Sequence, residues 1–340
     1  MEANLRRMAA LAESAGVRLR PHAKTHKSAH VARRQLAHGA VGLTVATLHE
    51  AEVFAAAGIG DLLVAHPPAT QPKLRQLAAL AERVARLAVA VDDAGIASAL
   101  PPKVEFLWEV DTGQHRIGTA PGKPTVKAVR ELVAAIGNDR FRGLITHGGH
   151  VYSSRDQRER RAVADQEAGG LVDTAAMLRA DGIEVRELSI GSTPTAGVAS
   201  MDGITEMRPG TYVYGDVNQV RLGAQLLEQC ALAVVACVVS TPAADRAVVD
   251  AGSKALSADF RAPGVEGFGI VVGKEHLIVE RLSEEHAVLV ARGATGLSIG
   301  DLVVIIPVHA CTTVNLHPAL AVLATDGRIR WQPVDARGWR

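Results

Sequence analysis

Two hydrophobic patterns alternate along the first two-thirds of the chain. Short β-branched runs are followed by longer stretches rich in Ala, Leu and Arg, whose apolar positions recur at helical spacing. The short runs predict eight strands, at 17–21, 42–46, 61–65, 86–91, 104–109, 143–146, 185–190 and 208–213. The longer stretches predict helices at 29–38, 49–57, 74–85, 125–136 and 157–180. Strands and helices that alternate in this way form parallel sheets with right-handed crossovers.

The number of strands separates two α/β folds. Eight strand–helix units close a (β/α)8 barrel of the TIM type. A doubly wound open sheet of roughly five or six strands is the alternative with the same local pattern. Because eight runs are present, we predict the barrel.

The pattern changes after about residue 225. The following runs are β-rich and are separated by Gly, Pro, Asp and Asn, at 230–240, 247–250, 269–272, 277–281, 287–291 and 301–307. A helical pattern returns only at 317–323. These features predict a second, mostly antiparallel β domain, with the barrel at 1–225 and the β domain at 226–340.

Composition narrows the possible functions. The chain has 340 residues, of which 48% are hydrophobic, so general disorder is excluded. The formal net charge is +1 and aromatic residues make up 3%, which excludes a typical nucleic-acid surface. No apolar stretch approaches the roughly 20 residues of a membrane helix, and the N-terminus does not resemble a signal peptide. With only three cysteines and no disulfide framework, we expect a cytoplasmic protein.

Residues suited to chemistry occur where the predicted barrel strands end. Lys24 follows the first strand, Arg116 follows the fifth, and His147, His150 and Tyr152 follow the sixth. Active sites of such barrels lie at the carboxyl ends of the strands. We therefore expect these side chains to meet on one rim of the barrel.

The loops after the seventh and eighth strands are the usual phosphate-binding loops of this fold. Here they contain small and hydroxyl-bearing residues, namely Gly191, Ser192, Thr193, Gly210, Thr211 and Tyr212. Backbone N–H groups and the hydroxyls of small side chains can bind a phosphate group. A simple turn is the alternative interpretation of the Gly-Ser-Thr-Pro segment.

Lys24 lies among basic residues in the segment Arg-Pro-His-Ala-Lys-Thr-His-Lys, residues 20–27. Neighbouring cations such as Arg20 and Lys27 lower the pKa of a lysine, which favours the nucleophilic free amine. A lysine nucleophile and a phosphate site on one rim together fit pyridoxal 5′-phosphate. A basic surface loop is the alternative.

His309 and Cys311 stand two residues apart at the end of a strand-like run. In an extended strand both side chains would point to the same face. Imidazole and thiolate are zinc ligands, with manganese as the alternative metal, and two protein ligands leave positions for water or substrate. Cys230 and Cys237 lie in apolar runs and are expected to be buried small side chains.

Four segments together resemble the D-serine dehydratase and D-threonine aldolase family, whose members are pyridoxal-phosphate enzymes with an alanine-racemase-like barrel. These segments are RPHAKTHK at 20–27, GSTPT at 191–195, RPGTY at 208–212 and HACTT at 309–313. They occur in the expected order over nearly the whole chain. The first and last of them are the specific ones.

The resemblance implies a role for each candidate residue. Lys24 would form the Schiff base, Arg116 and Tyr152 would flank the cofactor ring, and His309 and Cys311 would bind a divalent metal beside the substrate hydroxyl. The phosphate would be held by Ser192, Thr193, Gly210, Thr211 and Tyr212, with Gly191 shaping the turn. A homodimer and a small D-amino acid substrate are also implied.

The resemblance implies a lyase acting on β-hydroxy-D-amino acids. A thiolate in the metal pair is similar to D-serine dehydratases, which convert D-serine to pyruvate and ammonia. Retro-aldol cleavage by a D-threonine aldolase or 3-hydroxy-D-aspartate aldolase is the alternative. A racemase is disfavoured because Tyr152, Tyr212 and Tyr214 are all in the barrel half, and a non-catalytic carrier needs no metal pair.

The start of the chain departs from the family pattern. Relatives usually begin with an additional strand that joins the second domain, whereas this sequence begins within the first helix. We therefore expect an open sheet edge in the second domain.

Overall fold

A computed structural model of the chain describes residues 1–198, 201–324 and 326–338. Its first sheet contains eight strands: β1 Arg18–Leu19, β2 Leu43–Val45, β3 Asp61–Val64, β4 Arg86–Val91, β5 Glu105–Glu109, β6 Phe141–Ile145, β7 Glu187–Ile190 and β8 Glu206–Met207. The strands pair in parallel in the order β1–β8–β7–β6–β5–β4–β3–β2.

Backbone hydrogen bonds also join the two ends of this sheet. The Val41 amide donates to the Leu19 carbonyl, and the Thr44 amide donates to the Pro21 carbonyl, both at 2.9 Å. The segment after β1 thus lies beside the start of β2, and the curled sheet closes. The predicted (β/α)8 barrel is confirmed, and the open doubly wound sheet is excluded.

Eight helices accompany the barrel strands in the described chain: α1 Glu2–Ser14, α2 Ala29–Ala37, α3 Leu48–Ala56, α4 Gln71–Ala81, α5 Ala94–Ala99, α6 Lys123–Ile136, α7 Gln157–Ala180 and α8 Val217–Arg221. Side-chain caps explain several of their starts, since Thr47, Asp93, Asp156 and Asp216 each accept from a backbone N–H of the first turn. The five predicted helices are confirmed. Helices α5 and α8 were not predicted, because they are too short for a clear helical period.

The eighth strand lies earlier than predicted. The prediction placed it at 208–213, whereas β8 spans Glu206–Met207 and a 3-10 turn follows at Thr211–Val213. Pro209 has no N–H for the sheet, and Gly210 disfavours extended structure, so pairing stops before them. The Pro-Gly segment consequently forms the loop after β8 rather than part of the strand.

Paired charges fill the amino end of the barrel. The Arg20 guanidinium donates to Glu206 at 2.7 Å and to Asp61 at 2.6 Å, and Arg20 and Glu206 are only 1% and 0% exposed. Arg86 joins Glu187 at 2.8 Å in the same network. Removing one partner of such a buried pair costs about 3–5 kcal/mol, because the other charge stays buried. The amino end of the barrel therefore has a structural role. The carboxyl ends of the strands remain available for a binding or catalytic site.

The second sheet is antiparallel and closes on itself. Its strands are β9 Val234–Ala243, β10 Arg246–Val249, β11 Gly269–Val271, β12 Ile278–Leu282, β13 Ala287–Val290 and β14 Leu302–Pro307. They form a closed barrel in the order β10–β13–β12–β11–β14–β9 around a separate apolar core. The predicted antiparallel β domain is confirmed. The predicted open edge is wrong, because the long strand β9 pairs with both β10 and β14.

The remaining elements, one short helix between β10 and β11 and three elements after β14, differ from the predicted pattern. Short helix α9 spans Ser253–Leu256, helix α10 spans Ala310–Leu316, and the hairpin strands are β15 Ala319–Leu323 and β16 Ile329–Pro333. The helix predicted at 317–323 is wrong, because Pro318 disfavours helical structure at His317 and ends α10 there. The domain boundary at 225/226 falls between α8 and β9 and stays a prediction. None of the described helices combines the length and the hydropathy that crossing a bilayer requires.

Candidate active site

The loop after β1 presents Lys24 on a 3-10 turn, Ala23–Thr25. The His22 Nδ1 atom accepts from the Lys24 backbone N–H at 3.4 Å and caps this turn. A Cβ on Gly210 would lie 2.9 Å from Thr25 Oγ1 and 3.0 Å from the His22 carbonyl oxygen. Only glycine therefore lets the loop after β8 lie against the turn that carries the lysine.

Lys24 borders a cavity of about 440 Å³, named here the inner cavity. Eight of the predicted site residues line it: Lys24, Tyr152, Ser192, Thr193, Gly210, Thr211, His309 and Cys311. These residues come from four loops of the barrel and from the segment after β14. The structure thus brings the predicted cofactor and metal residues together in one place.

Three predicted residues do not line the inner cavity. Tyr212 is buried behind it, where its backbone N–H donates to Thr193 Oγ1 at 2.9 Å. The Gly191 backbone N–H donates to Glu167 Oε1 at 3.0 Å, which shapes the turn rather than opening toward the cavity. Arg116 is an exposed side chain whose charge nevertheless acts on Lys24.

The pKa of Lys24 is lowered, as predicted, although by other neighbours than those expected. Burial is the largest cause, and the charges of Arg116 and Arg208 add to it. Arg20 was expected to contribute, but Glu206 and Asp61 neutralise it at the opposite end of the barrel. The lowered pKa increases the fraction of Lys24 that is a free amine.

Helix α10 carries Cys311, while His309 at its N-cap keeps an extended backbone. Because Cys311 lies in the first turn of α10, the prediction that both residues share one extended strand is wrong. The two side chains nevertheless act on each other's pKa. Burial alone would lower the pKa of His309, but the Cys311 thiolate and the Asp259 carboxylate raise it to about 11. The pKa of Cys311 is lowered, because His309 and Lys24 outweigh the effect of burial. The lowered pKa favours the thiolate, the form that binds metals.

Buried contacts bring this pair to the barrel rim. Asp216, at the start of α8, accepts from the Ala310 backbone N–H through Oδ2 at 2.9 Å. The Thr25 hydroxyl lies 3.1 Å from Cys311 Sγ, directly beside Lys24 in sequence. The lysine from the first loop and the thiolate from the last helix therefore face the same space.

Four further side chains at this site were not predicted from the sequence. Burial lowers the pKa of His22 well below its usual value, so a neutral imidazole lines the cavity beside Lys24. Arg208, which donates to Ser189 Oγ at 2.7 Å, and Phe260 also line the cavity. Asp259 accepts from His309 Nδ1 at 2.7 Å. His22 and Arg208 stand within recognised motifs, whereas nothing in the local sequence marks Asp259 or Phe260.

A second, larger cavity of about 930 Å³ adjoins the first and is named the outer cavity. Lys24 and Cys311 line both cavities. The outer cavity extends from them along the loop between β3 and α4. A molecule bound at Lys24 and Cys311 would therefore have free space on two sides.

His309 and Cys311 fit a metal ion that keeps open coordination positions. Within the described residues, no group of three or more His, Cys, Asp and Glu side chains could hold a metal ion. His309 and Cys311 supply two donors, and the Asp259 carboxylate contacts the far ring nitrogen of His309. Two protein donors leave coordination positions to water or to substrate atoms.

The chain matches two family descriptions. The alanine racemase N-terminal domain matches residues 1–218, and the putative serine dehydratase domain matches residues 231–323. The first match covers the parallel barrel, and the second covers the antiparallel barrel and α10. Together they span both candidate site segments.

Full-length relatives match across the whole chain. The D-threo-3-hydroxyaspartate dehydratase of Delftia sp. is 37% identical over 100% of this chain and 95% of its own length. The D-threonine aldolase of Arthrobacter sp. is 34% identical over 99% of this chain and 90% of its own length. A solved D-threo-3-hydroxyaspartate dehydratase, a cysteine-to-alanine mutant in the metal-free form, superposes with a TM-score of 0.90 at 35% identity, covering 100% of this chain and 95% of that chain. The protein therefore belongs to the alanine-racemase-like family of D-serine dehydratase and D-threonine aldolase type.

Proposed function

We propose that the protein is a pyridoxal-phosphate- and metal-dependent lyase that dehydrates β-hydroxy-D-amino acids, with D-serine giving pyruvate and ammonia. The observation that carries the proposal is the meeting of Lys24 with His309 and Cys311 beside one cavity. Relatives over the full length of the chain are dehydratases and aldolases, which supports the same class of reaction.

The inner cavity fits the cofactor. Lys24 offers an amine with a lowered pKa, and Ser192, Thr193 and Thr211 offer hydroxyls in the same lining. Lys24 would hold the cofactor covalently, and the hydroxyl-bearing loops would hold its phosphate. When bound, pyridoxal phosphate withdraws electrons from the α-carbon of an amino acid.

Lys24 has a second role in this proposal. Its Nζ would also be the base that takes the proton from the α-carbon of the substrate. A lysine can do this only when it is neutral, and burial together with Arg116 and Arg208 favours the neutral form. The Thr25 hydroxyl and Cys311 Sγ, 3.1 Å apart, keep the lysine turn beside α10.

The His309–Cys311 pair would hold the metal at the β-hydroxyl. A bound divalent metal acts as a Lewis acid on that oxygen and makes it a better leaving group. Thiolate and imidazole together favour zinc, with manganese as the alternative. Tyr152, whose pKa is raised by burial, stays a neutral phenol that accepts from Gln219 Nε2 at 3.0 Å.

Product analysis with and without a chelator tests this proposal. The holoenzyme is expected to release pyruvate and ammonia from D-serine, and dialysis against a chelator should abolish the release until zinc or manganese is restored. Glycine and an aldehyde from D-threonine, without pyruvate from D-serine, would show that the retro-aldol reaction is the true activity. Full activity of metal-free protein would contradict the proposal.

Replacement of Asp259 by asparagine is expected to weaken metal binding about 10- to 100-fold, because a carboxylate behind a ligating histidine orients it and raises its basicity. The Nδ1 contact at 2.7 Å leaves Nε2 of His309 for the metal. Zinc affinity measured by competition with a chromophoric chelator checks this. Asp245→Asn, on the β9–β10 loop, is the matched control and should leave the affinity unchanged.

A further inference from the structure

Lys27 closes the turn that carries Lys24. Its backbone N–H donates to the Ala23 carbonyl at 2.8 Å, so the chain around Lys24 folds back on itself. Lys27 has a φ of 47°, a left-handed conformation that is unfavourable for a residue with a side chain. Such a residue keeps this conformation only when its surroundings fix it. The contacts of Lys27 therefore decide whether the turn stays closed.

Two helices beside the turn fix the side chain of Lys27. Its Nζ lies 3.3 Å from Glu50 Oε1 and donates to Asn315 Oδ1 at 2.8 Å. Glu50 lies on α3, and Asn315 lies on α10, the helix that also carries Cys311. The carbonyl of Lys27 is held by a third part of the chain.

That third part is the segment 334–337. The Ala336 backbone N–H donates to the Lys27 carbonyl at 3.0 Å. Asp335 Oδ2 accepts from the Ala29 backbone N–H at 2.7 Å, across 306 residues of chain. Ala29 is the first residue of α2, which begins shortly after the turn. The segment thus binds the chain that follows the lysine at two points.

The start of α2 lacks a cap of its own. Ser28 is the N-cap residue, but its side chain makes no capping bond, and its buried Oγ has no hydrogen-bond partner among the described residues. The first N–H groups of a helix need acceptors from outside the helix, because no earlier turn supplies them. The Asp335 carboxylate supplies one such acceptor, and its negative charge suits the positive end of the helix dipole. A distant segment therefore caps the helix that follows Lys24.

The other side of the segment contacts the end of α10 and the residues just after it. The Val334 backbone N–H donates to the Pro318 carbonyl at 3.0 Å, and Arg337 Nη1 donates to the Leu316 carbonyl at 3.0 Å. The Val334 side chain is buried in the core of the parallel barrel. The segment therefore joins the helix that carries the candidate metal ligand to the turn that carries the lysine.

We infer that Asp335 is a positioning residue, which holds the turn of Lys24 in the conformation that receives the cofactor. The inference rests on the proposed function, because it assumes that Lys24 attaches pyridoxal phosphate. Asp335 is not among the described residues that line either cavity. It therefore acts on the cofactor only through the chain around Lys24.

Cofactor binding to full-length variants tests this role. Asp335→Ala removes the acceptor of the Ala29 N–H, and we expect about fivefold weaker binding of pyridoxal phosphate, the fold-change typical of one lost N-cap. Asp335→Asn should bind almost as well as the wild type, because an amide oxygen caps a helix about as well as a carboxylate does. Visible absorbance during titration with the cofactor gives the affinity. Asp326→Ala, in the turn between β15 and β16, is the matched control and should leave it unchanged.

Zinc affinity separates positioning of the lysine from general destabilisation. Asp335→Ala should keep the zinc affinity of the wild type, because Val334 and Arg337 still hold the end of α10. An unchanged cofactor affinity in Asp335→Ala would overturn the inference. An equal loss of cofactor and zinc affinity would also overturn it, because the substitution would then act on the whole fold.

The inference and the proposed function can fail separately. If the wild-type protein shows no visible absorbance with pyridoxal phosphate, the proposed function is wrong. Hydrogen exchange in the peptide 23–29 needs no cofactor and still tests the role of Asp335. Faster exchange of this peptide in Asp335→Ala than in Asp326→Ala supports the inference, and equal exchange in the two variants overturns it.

Discussion

Lys24→Ala is expected to lose roughly 10⁴-fold or more in turnover, because the covalent attachment of the cofactor and the α-carbon base disappear together. Lys24→Arg should be no better, since a guanidinium stays protonated at neutral pH. The measurement is pyruvate release from D-serine at saturating pyridoxal phosphate. Circular dichroism should show that both variants fold, because Lys24 lies on a loop and borders cavities on two sides.

Borohydride reduction identifies the lysine independently of turnover. Reduction of the wild-type holoenzyme should fix the cofactor on the peptide that contains Lys24 and remove the visible absorbance. Lys27, three residues later, is the internal control, because its Nζ contacts Glu50 at 3.3 Å and donates to Asn315 at 2.8 Å. Labelling of Lys27 in place of Lys24 would contradict the assignment.

Cys311→Ala is expected to retain the cofactor and to lose the lyase reaction. Without the metal, the developing charge on the leaving oxygen loses several kcal/mol of stabilisation. The rate should therefore fall about 10³-fold. In this variant, metal content and pyruvate release should therefore fall. The visible absorbance of the cofactor should remain. Slow exchange of the α-proton should survive, because Lys24 is unchanged.

Cys237→Ala is the matched control, since Cys237 lies on β9, outside both cavities. It should keep both metal and activity. Undiminished pyruvate release by metal-free Cys311→Ala would show that Cys311 does not act through a metal. Loss of cofactor from the same variant would instead show that Cys311 supports the Lys24 turn through its 3.1 Å contact with Thr25.

The family resemblance predicted most of the residues around the inner cavity. It did not predict which charges set the pKa of Lys24. The motifs placed Lys24, Ser192 and Thr193 correctly at strand ends, because a barrel strand has one direction and its loop must follow it. The basic residues next to Lys24 in sequence do not set its pKa. Arg20 points to the opposite end of the barrel, and Arg116 and Arg208 act from loops that are distant in sequence.

The sequence by itself determined the parallel barrel and the antiparallel β domain after it, because strand and helix periods are local properties of the chain and the strand runs are clearly separated. Closure of the β domain into a second barrel was decided by the tertiary structure. The sequence also predicted most of the side chains that line the inner cavity, Lys24 and Cys311 among them. Only the tertiary structure decided that α10 rather than a strand carries Cys311, and that Asp259 lies 2.7 Å from His309 across 50 residues of chain. These facts depend on contacts between distant segments, and no local pattern of residues encodes such contacts.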